Sequence, residues 1–142
     1  MFKLNTIQQK MKNWDKKIHV ESSLKPKDGQ HAMFVGRWQP LHKGHQELFK
    51  QALDEGKNVL ICIRDIQPDE KNPFTALEVK SNIESHYSDM SERVKVLIIP
   101  DICSIEFGRG VGYDIIERIP PQEIHDISAT KIREQMKTEG LL

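Results

Sequence analysis

The chain has 142 residues, enough for one domain around a single core, and its 21 Lys plus Arg are balanced by 21 Asp plus Glu. With no net positive field to favour duplex nucleic acid or an anionic membrane surface, the expected partner is a small molecule. Apolar runs such as residues 94–100 are too short to cross a bilayer, and the N-terminus lacks the apolar core of a signal peptide, so a cytoplasmic protein is expected.

Residues 1–30 differ from the rest. They are rich in Lys and Gln and end in Ser22-Ser23, Pro26 and Asp28-Gly29, which reads as a helical leader and linker ahead of a domain at 31–142. Leu4, Ile7, Met11, Trp14 and Ile18 recur at spacings of three and four, placing them on one face of a helix. Such a stripe needs a partner: its own domain, or a second copy in a homo-oligomer. Cys62 and Cys103 match neither a zinc ribbon nor a CxxC redox pair and read as buried free thiols.

From residue 32 strand and helix patterns alternate. Residues 32–35 form an apolar run, 43–55 a helical stretch closed by Gly56, and 58–63 a second apolar run. A second helix is expected over 75–90, with Thr75 as its cap, Glu78 completing a capping box, and Leu77 and Ile83 on its core face. Residues 93–100, rich in branched side chains, read as a strand buried on both sides, as in a parallel sheet. Two shorter strands at 104–107 and 113–119 flank a glycine-rich turn, and a last helix runs over 128–137. The pattern predicts an α/β fold: a Rossmann-like open parallel sheet with helices on both faces, binding ligands at the carboxyl ends of its strands.

The segment GRWQPLHKGH, residues 36–45, falls at the first strand-to-helix junction. Free backbone N–H groups and the positive end of a helix dipole attract phosphate there. His42 and His45, three residues apart, are placed to donate to phosphate oxygens; Gly44 keeps the backbone open and Arg37 adds a cation. The plainer alternative is two surface histidines beside a turn. A zinc site is a weaker rival, because no carboxylate or Cys completes a ligand set. The second cluster, ISATKIR at 127–133, opens the last helix with Ser128, Thr130, Lys131 and Arg133; taken alone it is an ordinary capped helix.

With the two clusters in this order, the sequence resembles the HxGH nucleotidyltransferase superfamily. GRWQPLHKGH and the Asn72-Pro73-Phe74-Thr75 segment look like archaeal-type nicotinamide-mononucleotide adenylyltransferases, and ISATKIR is also similar to the late motif of glycerol-3-phosphate cytidylyltransferase. Class I aminoacyl-tRNA synthetases carry a related signature but are much longer. The resemblance implies that His42, His45 and Lys71 serve catalysis, and that Gly36, Arg37, Gly44, Ser128, Thr130, Lys131 and Arg133 hold the nucleotide. Lys71 reads equally as a solvated loop lysine. Between residues 100 and 127 the chain is shorter than the nicotinamide enzymes; Arg109 and Tyr113, in the glycine-rich turn there, are the acceptor-binding candidates.

The implied reaction moves a nucleoside monophosphate from a nucleoside triphosphate to a small phosphate- or phosphonate-bearing acceptor, with release of pyrophosphate. Mg²⁺ is expected on the triphosphate and not in a protein-ligated site. Compactness and ISATKIR suggest CTP as donor; GRWQP and NPFT suggest ATP, the alternative reading. A non-catalytic nucleotide-binding module is the remaining alternative.

Overall fold

The computed structural model describes residues 30–108, 114–120 and 129–142. Three strands, β1 (His31–Gly36), β2 (Asn58–Asp65) and β3 (Val94–Pro100), form a parallel sheet in the order β1-β2-β3. Helix α1 (Lys43–Asp54) connects the first pair. Helix α2 (Ala76–His86) and a 3₁₀ turn at Ser88–Met90 connect the second. Helix α3 (Ala129–Thr138) lies at the C-terminal end. This is the expected Rossmann-like arrangement of parallel strands and flanking helices.

Strand alternation puts Val59, Ile61 and Ile63 of β2 on the same face as Val94 of β3, and they pack with Phe49 and Ala52 of α1 and with Ala76, Val79 and Ile83 of α2. Phe34 meets Phe49 edge-to-face with ring centroids 5.0 Å apart, extending this core across β1. Both crossover helices therefore cover one face. On the other face Met33 is 57 % and Leu97 49 % exposed, so neither crossover helix covers it. β3 is likewise not buried on both sides: Lys95 and Leu97 point outward and are exposed.

Other expectations are met or corrected locally. Thr75 Oγ1 accepts from Glu78 N, and Glu78 returns the bond to Thr75 N, so the capping box forms. Gly56 takes φ +86°, the left-handed conformation foreseen past the first helix. The second helix stops at His86, short of residue 90. Its inner face is Ala76, Val79 and Ile83, a spacing of three and four that turns Leu77 outward, where it is 73 % exposed. Residues 104–107 and 114–119 are not strands, since they pair with no neighbour in the sheet. Residues 114–120 instead run beside α1: Arg118 makes a two-pronged ion pair with Glu55 at 2.7 and 2.8 Å, and Gln51 Nε2 donates to Ile119 O. Cys62 is buried as expected, whereas Cys103 is exposed. The leader, the Gly110–Gly112 part of the glycine-rich turn, and Ser128 lie outside the described residues.

Candidate active site

Backbone strain and burial fix the turn after β1. Trp38 holds φ +53°, unfavourable for a residue with a side chain, and its indole Nε1 donates to Cys62 O of β2 at 3.0 Å. The indole also lies under Gly36, where an added Cβ would come within 2.9 Å of the ring. Gly36 thus has a packing role alongside the nucleotide-binding role expected of it.

His42 is the N-cap of α1. Its Nδ1 accepts from Gly44 N at 3.0 Å and His45 N at 3.4 Å, while His45 Nδ1 accepts from His42 N at 3.3 Å. This is a capping box with imidazoles in place of the usual hydroxyl and carboxylate. Since both Nδ1 atoms accept, the proton of each neutral ring sits on Nε2, leaving an N–H donor at each ring's far side. The rings stack at 3.6 Å, and His45 packs edge-on against Trp38 at 4.8 Å. Burial lowers the pKa of His42; burial first, and then the neighbouring His42, bring that of His45 to about 3. Both are neutral donors at neutral pH.

A folded pKa below the ordinary 6.5 means the unfolded chain takes up the proton first on acidification. This contribution to stability is complete above about pH 6.5 and declines as pH falls toward about 3. Glu55, held down to about 2 chiefly by its hydrogen bond from Arg118, loses its contribution only below its ordinary 4.5. The urea midpoint should therefore be lower at about pH 5 than at about pH 7.5, and His45→Gln should flatten that difference. Equal midpoints at both pH values in the wild type would contradict the neutral imidazole cap.

The remaining candidates converge on this turn to different degrees. Arg133 of α3 donates from Nη1 to Gln39 O at 2.7 Å and from Nη2 to Thr130 Oγ1 at 3.3 Å, so the late motif meets the histidine turn across 94 residues of sequence. Thr130 and Lys131 are exposed on the same helix. Lys71 is exposed in a loop organised by Asp69, whose Oδ1 accepts from Lys71 N, Asn72 N and Asn72 Nδ2. These bonds, with Asn72's backbone first, lower the Asp69 pKa; the charge of exposed Arg37 adds to the effect. Ser128, Arg109 and Tyr113 lie outside the described residues. Among the described residues no group of three His, Cys, Asp or Glu side chains is arranged to hold a metal ion.

Sequence reasoning missed Gln39. It is 4 % exposed, and its side chain donates to Phe74 O at 2.9 Å and accepts from Phe74 N at 3.0 Å. A Gln between Trp and Pro carries no pattern that announces such burial.

A family model described as cytidylyltransferase-like matches residues 33–97, the stretch from β1 to β3. A nicotinamide-nucleotide adenylyltransferase of Archaeoglobus fulgidus is 37 % identical over 75 residues, 49 % of this chain and 43 % of that protein. A nicotinamide/nicotinic acid mononucleotide adenylyltransferase of Acinetobacter baylyi is 36 % identical over 58 residues, 39 % of this chain and 31 % of that protein. A crystal structure of a bifunctional NMN adenylyltransferase/ADP ribose pyrophosphatase from Francisella tularensis aligns at 34 % identity with a TM-score of 0.46, covering 51 % of this chain and 22 % of that one. The chain spans from about a quarter to about half the length of the curated relatives it matches. Over β1 to β3 the chain is thus similar to the cytidylyltransferase-like family of HxGH-type nucleotidyltransferases and to the archaeal nicotinamide-nucleotide adenylyltransferases.

Proposed function

We propose that the protein transfers an adenylyl group from ATP to a mononucleotide-like acceptor. The observation that carries this reading is the pair of neutral imidazoles locked by reciprocal capping at a helix N-terminus, with Arg133 of the late motif bonded to the same turn. ATP replaces the CTP suggested by compactness, because the named relatives are adenylyltransferases. A phosphate oxygen of the acceptor attacks the α-phosphorus, the bond to the bridging α–β oxygen breaks, and pyrophosphate leaves with the electron pair. No side chain is a nucleophile.

His42 and His45 meet the oxygens on which charge grows through their Nε2–H groups, and the N-terminus of α1 adds its dipole. Arg133 and Thr130, with Ser128 and Lys131, hold the β- and γ-phosphates, and Lys71 approaches the reacting groups from its loop. Gly36, Arg37 and Gly44 line the first cradle; Arg109 and Tyr113 take the acceptor. Mg²⁺ enters as part of the substrate, carried on the triphosphate, and lowers the charge barrier there as a Lewis acid.

Pyrophosphate release should be at least about tenfold faster with ATP than with CTP at equal concentration, a difference of about 1.4 kcal/mol in transition-state binding. The assay uses a panel of phosphorylated acceptors that includes nicotinamide mononucleotide. A preference for CTP across the panel would overturn the adenylyl assignment.

A further inference from the structure

Two features meet in Gln39. Its carboxamide pairs with both backbone groups of Phe74, donor to O and acceptor from N, as a neighbouring strand would. Its own carbonyl accepts the 2.7 Å bond from Arg133. One buried residue therefore joins three segments far apart in sequence: the turn that ends in His42, the 69–75 loop that carries Lys71, and helix α3. The flanking residues are pinned as well, Trp38 to β2 through Cys62 O and His42 to α1 through its cap. A primary amide suits this place because Phe74 presents one donor and one acceptor side by side, and no apolar or singly polar side chain of that length satisfies both.

We infer that Gln39 is a positioning residue for the nucleotidyl transfer, a clamp that sets the spacing between the histidine donors, the Lys71 loop and Arg133. This rests on the reading given under Proposed function. Gln39 need not touch the substrate. It acts by holding donors in place, and misplacement of such groups by about 1 Å can cost on the order of a hundredfold in rate. The loss should fall on kcat more than on the KM for ATP, since aligned donors matter most when charge is developing.

Two variants test the clamp. Gln39→Leu, similar in size but unable to pair with Phe74, should lower kcat at least about tenfold per folded molecule, with a smaller change in the KM for ATP. Gln39→Glu adds a switch. Its carboxylate still accepts from Phe74 N but has nothing to give Phe74 O; once protonated it regains that donor and mimics the amide. Burial raises the carboxyl's pKa, so kcat of Gln39→Glu should climb as pH falls, with an ionisation the wild type lacks. Both assays run well below the melting temperature, where a purely structural residue leaves kcat per folded molecule unchanged. A kcat within about twofold of wild type in Gln39→Leu overturns the clamp. If Gln39→Leu does not fold, a Gln39→Glu pH profile matching the wild type overturns it. If the wild type releases no pyrophosphate with any donor, the transfer reading fails separately, and the clamp is judged by hydrogen exchange at the Phe74 amide. Faster exchange in the variants supports it, and equal exchange overturns it.

Discussion

His45→Ala should lower kcat by at least about a hundredfold while leaving nucleotide affinity within about tenfold, because a preorganised donor to a charge-gathering oxygen is worth roughly 3 to 4 kcal/mol at the transition state. The substitution also removes the acceptor for His42 N and the edge-on contact with Trp38. It should therefore cost about 1 to 2 kcal/mol of stability as well, the usual scale for a lost cap. Turnover per folded molecule separates the two effects. Gln at the third helical position can accept from the N-cap amide, as in an ordinary capping box, and carries N–H groups of its own. His45→Gln should accordingly regain most of the stability and part of the turnover. If His45→Ala keeps near-native turnover per folded molecule, the histidine is a cap and nothing more, and the mechanism is wrong.

That dual role explains what the sequence disclosed and what it concealed. The strand and helix order was legible because local patterns agree with tertiary burial. Residues 59–63 are apolar as a central parallel strand requires, and Thr75 and Glu78 spell out a helix start three residues apart. Legibility failed where burial depends on neighbours. Leu77 was assigned inward, yet the contacts of Ala76, Val79 and Ile83 with the sheet fix the helix's rotation and leave Leu77 outside. The branched run of β3 suggested burial on both sides, but its last place among the described strands, with Lys95 and Leu97 exposed, is a property of strand order that no single run encodes. The runs at 104–107 and 114–119 have strand-like composition but pair with none of the described strands.

The candidate site shows the same division. His42 and His45 were expected to donate to a ligand, and their position at a helix start followed from the order of elements. Their reciprocal bonds to the backbone, which fix the tautomer and hence the atoms that donate, depend on side-chain geometry. Convergence of Arg133 on the turn was implied only by the resemblance; its 2.7 Å bond to a backbone carbonyl, and the buried amide behind that carbonyl, have no short-range signature.

Arg133→Ala should reduce kcat/KM for ATP by about a hundredfold, on the scale of one or two charge-assisted hydrogen bonds at roughly 1.5 to 3 kcal/mol each. The guanidinium already bonds Gln39 O and Thr130 Oγ1, which aims its fork at the turn; with five N–H donors it can keep those bonds and still meet phosphate oxygens. Under the proposed mechanism, removing it takes away a phosphate ligand together with the tie between α3 and the histidine turn. Arg133→Lys keeps the charge but not the planar fork, so it should restore only part of the loss. Higher salt should weaken ATP binding less in Arg133→Ala than in the wild type, because a charge pair with the triphosphate is gone. Measuring kcat/KM for ATP and the salt dependence of its KM in the three proteins decides the matter. If Arg133→Lys matches the wild type, the fork geometry is irrelevant; if Arg133→Ala does as well, the late motif does not hold the triphosphate in this protein.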